Sequence, residues 1–263
     1  MDILVHDHYR VLHLTLNRPN KRNALTLKMC ADIVDAVHSA ETRQDIGCTL
    51  ISANGSVFCA GMDLDEAAPV EDLLGIHEQL FTIGVNAVKP IVIEVNGAAL
   101  AGGLGLVAQG HVVLASPNAV FGLPEVRIGF WPLVVYRAVE AAVGKRRTLQ
   151  LSLTGNSFRA QEALEWGLIQ RICPSSEIHD VGKSAAREIA KSSPLAIASG
   201  MEYVREASGR SVREAGEIAA GLRAKLIASG DFKEGTTAFK EKREAHWPSM
   251  PPEFYANRQG TDT

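Results

Sequence analysis

The sequence lacks several features that would place it quickly. Its four cysteines (Cys30, Cys48, Cys59, Cys173) are scattered with no CxxC spacing, which argues against both a disulfide framework and a zinc site. No apolar run approaches the ~20 residues that span a bilayer. The opening MDILVHDHYR has no basic region leading into an apolar core and is not an Arg- and Ser-rich, acid-poor leader, so neither a secretory nor a transit signal is expected. Charge of one sign is also missing. A net charge of −3 gives no bulk attraction to nucleic acid or to an anionic membrane, and no basic stripe is interleaved with aromatics. Together these absences predict a cytoplasmic protein that partners neither nucleic acid nor membrane. With 263 residues, 46% of them hydrophobic, the chain can form one large globular domain or a domain with an appendage.

What is present centres on residues 91–125, IVIEVNGAALAGGLGLVAQGHVVLASPNAVFGLPE. The β-branched run 91–95, stopped by Asn96-Gly97, predicts a buried strand, and 112–115 predicts another. Gly102 and Gly103 between them open an apolar run, 104–108, that reads as a helix. A strand feeding a glycine pair feeding a helix leaves unpaired N–H groups at the helix start. Such groups can hold an anion, or an oxygen that becomes negative during a reaction. Two other readings compete. Residues 103–108 match the loose dinucleotide fingerprint G-x-G-x-x-A, but the next strand ends in Ser116-Pro117 rather than in the acid that would hold a ribose. The glycines can also serve close helix packing. Glu125, among Phe121, Leu123, Val126 and Ile128, is either a structural partner or an acid/base.

The stretch 56–64, SVFCAGMDL, is the second informative one. An apolar run ends in small residues, a glycine and Asp63, consistent with a strand-to-helix turn. It also allows the Met62 N–H to face the same point as the N–H groups near Gly102, and two donors from different loops make an oxyanion hole. Cys59 beside it is either a reactive thiol or a small buried residue, the second being favoured because no base lies nearby in sequence. Residues 65–75 are polar, with Pro69 and Gly75, and read as a mobile segment or lid.

The rest of the chain supplies a frame. Strands are expected over 3–6, 11–16, 48–53 and 168–172, and a helix following Thr26 as its N-cap. His6, His8 and His13 have strand spacing that can bind metal, the alternative being solvated surface histidines. Phe130 and Trp131 either line an acyl pocket or belong to the core, and Pro132 suits the first turn of a helix over 133–143. Helices at 146–153 and 160–166 end at Gly155 and Gly167. From 176 onward almost everything reads as helical. The composition therefore shifts near 174, dividing the chain into a mixed core over 1–174 and a helical region over 175–263.

Taken in order, Leu16-Asn17-Arg18-Pro19 with Asn23-Ala24-Leu25, then 58–64, 96–103 (NGAALAGG), 121–125 (FGLPE), Leu153-Thr154-Gly155 with 163–168, and 239–243 resemble the enoyl-CoA hydratase/isomerase (crotonase) superfamily over nearly the whole chain. The resemblance implies an α/β fold, a spiral of ββα units with a helical C-terminal trimerisation region, assembled as a homotrimer or hexamer. It implies acyl-CoA thioester substrates, with CoA entering as part of the substrate and no metal or redox cofactor. Carried over residue by residue, the catalytic set is Glu125 with the N–H groups of Met62 and Gly102. Substrate and CoA contacts fall on Ala60, Asp63, Leu64, Gly103 and Trp131. Arg22, or its neighbour Lys21, meets a CoA phosphate, and Lys242 reaches one from a neighbouring subunit, a solvated surface charge being the alternative for each.

One departure matters. Family hydratases carry two glutamates facing the substrate, and aligning on Gly102-Gly103 puts the first at Gly105. Water addition wants a base for water and a proton donor to C2, most easily two carboxyls. Moving a double bond needs a single base that takes a proton from one carbon and returns it to another. Glu125 with Gly105 therefore resembles the isomerase branch, with Asp63 or Asp65 as reserve acids for hydration. Other thioester chemistry, such as hydrolysis or decarboxylation, and a binding protein without turnover are the further alternatives.

Overall fold

The computed structural model describes residues 1–66 and 70–256. The chain opens with the hairpin β1 (Ile3–His8) and β2 (Val11–Leu16), and α1 (Leu27–Thr42) leads to β3 (Cys48–Ala53) and β4 (Val57–Cys59). Helices α2 (Val70–Leu80) and α3 (Ile83–Asn86) precede β5 (Ile91–Val95), β6 (Ala98–Leu100) and α4 (Gly102–Val107). After β7 (Val112–Ala115) and β8 (Val120–Gly122) comes a short 3-10 helix, Pro124–Ile128. Then follow α5 (Tyr136–Val143), α6 (Lys145–Thr154), β9 (Ser157–Arg159), α7 (Ala160–Glu165) and β10 (Arg171–Ile172). Helices α8 (Ile178–Ala190), α9 (Pro194–Ala207), α10 (Val212–Ile227), α11 (Gly230–Glu241) and α12 (Glu253–Ala256) complete the described chain. No described helix is long and apolar enough to cross a membrane.

The strands sort into two sheets by turns. A six-stranded sheet has the order β1-β2-β3-β5-β7-β10, and a four-stranded one the order β4-β6-β8-β9. Each of the pairs β3/β4, β5/β6 and β7/β8 puts one strand into each sheet before the chain crosses back. This is a spiral of ββα turns, and its repeated crossovers make the neighbouring strands parallel. Among the described strands, only β1 and β9 pair antiparallel, with β2 and β8 respectively.

The inner strands β3, β5 and β7 of the large sheet are buried on both faces, which is why they read as continuous apolar runs. Leu12, Leu14 and Leu16 of β2 and Ile91, Ile93 and Val95 of β5 face the main core with α1. The opposite face, with Val11, Cys48, Leu50 and Val92, packs on Ala186 and Ala190 of α8. Although α8 lies beyond residue 174, it covers this core sheet, and the change from buried to exposed helices comes after it. Helix α9 buries no residue, and α10 buries only Leu222. Asp231 ties this outer region together by accepting from Ser193 Oγ at 2.6 Å and from the Ser249 N–H and hydroxyl at 3.0 and 2.6 Å.

Several expectations change. The lid segment 65–75 is partly helical, because α2 begins at 70; Pro69 and the rest of 67–69 lie outside the described residues. Pro132 does not start a helix: its carbonyl accepts from the Tyr136 N–H at 2.9 Å, and α5 begins there. The strand expected over 168–172 shortens to Arg171–Ile172. His13 is not a surface histidine. It is buried, with its ring stacked on His6 across the β1–β2 pair at 4.6 Å. Among the described residues no group of three His, Cys, Asp or Glu side chains is arranged to hold a metal. Of the small-sheet strands, β4 agrees with the strand-to-helix reading of 56–64, while β6, β8 and β9 were not expected as strands. Each has three residues, too short to show a period.

Candidate active site

The candidate residues come together because β4, β6 and β8 are parallel neighbours. Their C-terminal ends, Cys59, Leu100 and Gly122, open on one side of the small sheet. Met62, Gly102 and Glu125 each follow their strand by two or three residues. Adjacent strands lie about 4.8 Å apart, so three segments distant in sequence share one mouth.

The Met62 N–H is freed by pairing on its other side. Leu25 makes a parallel bridge to Met62, taking the Gly61 carbonyl at 2.8 Å and accepting from the Asp63 N–H at 2.8 Å. The residue between them turns its N–H away, and it donates to none of the described residues. Gly61 has φ +105°, a conformation suited to glycine. On the second loop, Ala101 has φ 51° and ψ −120° as the residue before α4. This left-handed backbone is unusual for a residue with a side chain, and such strain costs of order 1–3 kcal/mol. It is fixed from both sides: the Ala101 N–H donates to the Gly122 carbonyl at 2.9 Å, and the Gly105 N–H donates to the Ala101 carbonyl at 3.1 Å. Gly102, as the first residue of α4, has no helical partner for its N–H. The two loops touch: a Cβ built on Gly102 lies 3.5 Å from Met62 Sδ and 3.6 Å from Gly61 Cα.

The other α4 glycines serve packing. A Cβ on Gly103 falls 2.3 Å from the Cys59 carbonyl oxygen, so α4 rests directly on the end of β4. A Cβ on Gly105 falls 2.5 Å from Val135 Cγ1 and 2.9 Å from Phe81 Cε1. The space in which a second carboxylate was considered is filled by these two side chains. The dinucleotide reading loses its phosphate loop for the same reason, since the glycines face protein.

Glu125 sits in the 3-10 helix after Pro124. It is 8% exposed, and its Oε2 has no hydrogen-bond partner among the described residues. Burial pushes its carboxyl above the ordinary value, with its own backbone N–H opposing weakly. The backbone carbonyl of Glu125 accepts from the Phe130 N–H at 3.0 Å. Phe130 is largely exposed and Trp131 half-buried beside it, so neither is core.

The reserve acids are engaged. Asp63 pairs with Arg18 at 2.6 Å and accepts from the Asp65 N–H at 3.1 Å; the guanidinium holds its carboxyl below the usual range. Asp65 pairs with Lys21 at 3.1 Å at the surface. Glu66 caps α1, accepting from the Leu27 N–H at 2.7 Å. The Cys59 thiol is fully buried, which pushes it up to about 12, so it is a packing residue rather than a nucleophile. Arg22 is exposed in a left-handed conformation, and its carbonyl accepts from the half-buried Ala60 at 3.0 Å. Leu64 is 78% exposed. Lys242 is exposed at the C-cap of α11.

Sequence reasoning missed Arg18 as the partner of Asp63, and Phe81 and Val135 as the walls at Gly105. Asn23 was quoted only as part of a motif. It is buried, accepts from the Arg18 N–H at 2.8 Å and donates to the carbonyls of Asn54 and Val57 at 2.9 and 2.8 Å. It thereby fastens the Leu25 segment to the β3–β4 turn.

A two-sheet ββα spiral with these loops at the small-sheet mouth is the architecture of the crotonase superfamily. The human enoyl coenzyme A hydratase domain-containing protein 3 superposes with a TM-score of 0.89 at 27% identity, over 94% of this chain and 100% of that one. An enoyl-CoA hydratase structure from Mycobacterium smegmatis does so with a TM-score of 0.88 at 26% identity, over 94% and 99%. The chain belongs to the enoyl-CoA hydratase/isomerase family, whose sequence profile matches residues 7–250. It is 35% identical to the mevalonyl-coenzyme A hydratase of Aspergillus fumigatus, over 90% of this chain and 91% of that one. It is 34% identical to the 2,3-dehydroadipyl-CoA hydratase of Escherichia coli, over 92% and 96%.

Proposed function

We propose that this enzyme moves the double bond of an enoyl-CoA, with Glu125 as its proton carrier. The observation that carries the reading is the buried Glu125 carboxylate with an oxygen unpartnered among the described residues, together with a position 105 closed by Val135 and Phe81. Removing a proton next to a thioester carbonyl puts charge on the carbonyl oxygen. The Met62 and Gly102 N–H groups receive that oxygen, each lowering the charged state by about 3 kcal/mol on the mutational scale of such donors. They are already oriented, so little reorganisation accompanies charge development. Glu125 takes the proton from one carbon and returns it to the other, and its burial brings its basicity nearer to that of the substrate carbon.

The CoA moiety runs past Ala60, Asp63, Leu64 and Gly103, with Arg22 and Lys242 offered to its phosphates and Trp131 to the acyl chain; no metal or redox cofactor takes part. Asp63 serves here as the buttress of its loop through Arg18. The outer helices expose Leu195, Tyr203, Val204, Val212, Ile227, Phe232 and Phe239. Such an apolar surface fits a homotrimer or hexamer.

Water addition to a 2-enoyl-CoA is the second reading, favoured by the two relatives named as hydratases. Mass spectrometry of 2-enoyl- and 3-enoyl-CoA incubated with the protein in D2O separates the two. A shifted double bond with deuterium and no added water is expected. A 3-hydroxyacyl-CoA product makes it a hydratase, and unchanged substrates overturn both.

A further inference from the structure

The β1–β2 hairpin and α8 bring together basic groups that the active site does not use. His13 on β2 pairs in register with His6 on β1 and with Leu50 on β3, and Leu50 belongs to the cluster packed on α8. Residues in register, and those two further along a strand, share one face of a sheet. His6, His8 and His13 are therefore on the α8 face. Helix α8 adds Lys183 and Arg187, one turn apart on its surface. The Arg187 guanidinium carbon lies 4.4 Å from the centre of the Tyr9 ring, and that ring lies 4.1 Å from the ring of His8. Arg10, in the hairpin turn, donates to the Ala190 and Gln44 carbonyls at 3.3 and 2.8 Å, which fastens the hairpin to the end of α8.

Two polar atoms in this group are left over. His13 is 4% exposed, and neither its Nε2 nor the buried Arg187 Nε has a hydrogen-bond partner among the described residues. Buried polar atoms in native proteins are almost always bonded, so both call for an acceptor. The surrounding charges supply none. Those that bear on His13 come from His6, Lys183, His8 and Arg187, all basic. The acids of these elements are engaged elsewhere: Asp7 with Arg43, Glu188 with Lys191 and Glu94 with His179, while Asp180 acts on His179. The ion pairs of α8 thus run through His179 and Lys191, and Lys183 and Arg187 are in none among the described residues. Burial first, and then these like charges, push the His13 imidazole down to about 4. An anion seated among them would offset the repulsion.

We propose that the face between the β1–β2 hairpin and α8 binds a phosphate-type dianion, with Arg187 Nε and His13 Nε2 donating to its oxygens and Lys183, His6 and His8 supplying charge. The ligand is free phosphate or the phosphate group of a nucleotide. A planar guanidinium matches such an oxyanion, and stacking on Tyr9 holds its plane. The site is separate from the thioester site. Helix α8 covers the side of the large sheet opposite the main core, whereas Met62, Gly102 and Glu125 follow strands of the small sheet. The proposal is therefore independent of the reaction assigned to Glu125.

Calorimetry of sulfate binding to the full-length protein, in about 0.15 M chloride, is the test; sulfate stays a dianion at every pH used. Wild-type protein is expected to bind one sulfate per chain. Arg187→Gln and Lys183→Gln should each weaken binding by about tenfold or more, with unchanged circular dichroism showing that both fold. An anion favours the protonated imidazole, so affinity should rise as pH falls from about 8 to about 6. That rise should be smaller in His13→Gln. Inorganic phosphate and ATP separate the two sources: similar affinities identify free phosphate, and ATP tighter by about tenfold or more identifies a nucleotide. The proposal is overturned if wild type binds none of the three anions, if both α8 variants bind sulfate as wild type does, or if the affinity does not change with pH.

Discussion

Gly61 and Ala101 are pressed together where the two donor loops meet: a Cβ on Gly61 would lie 2.8 Å from Ala101 Cβ and 3.5 Å from the Gly102 nitrogen. Both residues have positive φ, 105° and 51°. The spacing of the two proposed N–H donors, Met62 and Gly102, is therefore set by one glycine and one strained alanine. Gly61→Ala adds a methyl group into that contact in an unfavourable backbone region. It should cost about 1–3 kcal/mol of stability and about 100-fold in kcat, read by thermal unfolding and by turnover. Ala101→Gly removes strain without filling space, and a gain of about 1 kcal/mol in unfolding free energy is expected.

Glu125→Gln keeps size and burial but removes the proposed base. Turnover should fall by about 100- to 10,000-fold, with substrate binding by calorimetry little changed. The variant should unfold no earlier than wild type, because a buried carboxylate charge has been removed. The pH dependence has a definite sign. The proposed base works ionised, so kcat for the proposed double-bond shift should rise with pH through the Glu125 ionisation, which burial places above the ordinary 4.5. The rise is absent in Glu125→Gln.

Gly105→Glu does not restore a two-carboxylate site. Val135 and Phe81 occupy the space its Cβ would need, and overpacking of this kind costs about 1–3 kcal/mol. Thermal unfolding should show the loss. Adding Val135→Ala should recover part of it, because Val135 Cγ1 is the nearer obstacle at 2.5 Å.

Glu94 on β5 is 2% exposed and bonds to His179 of α8, while its other oxygen has no partner among the described residues. The hydrogen bond that His179 donates to the Glu94 carboxylate raises the His179 ionisation above its ordinary 6.5. A raised histidine stabilises the fold fully below its unfolded value and loses that contribution as pH rises through the folded one. Stability should therefore decline above about pH 6.5. The decline should be smaller in His179→Ala, which should itself cost about 1–3 kcal/mol by leaving Glu94 unpaired. Denaturant titrations across pH 5–9 check both.

Legibility followed element length and partner distance. Helix α1 and its Thr26 cap could be read because the cap bonds only three residues away, to the Met29 N–H. Strands β3, β5 and β7 were legible as buried apolar runs, and Gly155 and Gly167, both at positive φ, marked helix ends. Strand β6 was not legible, since Ala98–Leu100 becomes a strand only by pairing with β4 and β8. Asp63 looked available as an acid because Arg18, 45 residues earlier, is invisible as its partner in a linear reading.

The sequence by itself determined the family, through short motifs in fixed order, and the chemistry of the candidate groups: a lone glutamate after a proline, a glycine pair at a helix start, and no carboxylate at 105. Those are properties of residue type and near neighbours, where backbone sterics and local hydrogen bonds decide. The tertiary structure decided which groups are free to act. Parallel pairing of three short strands gathers Met62, Gly102 and Glu125 at one mouth, burial raises Glu125, Arg18 and Lys21 occupy the other acids, and Phe81 and Val135 close position 105. Burial and ion pairing depend on residues far apart in the chain, and only the folded packing sets them.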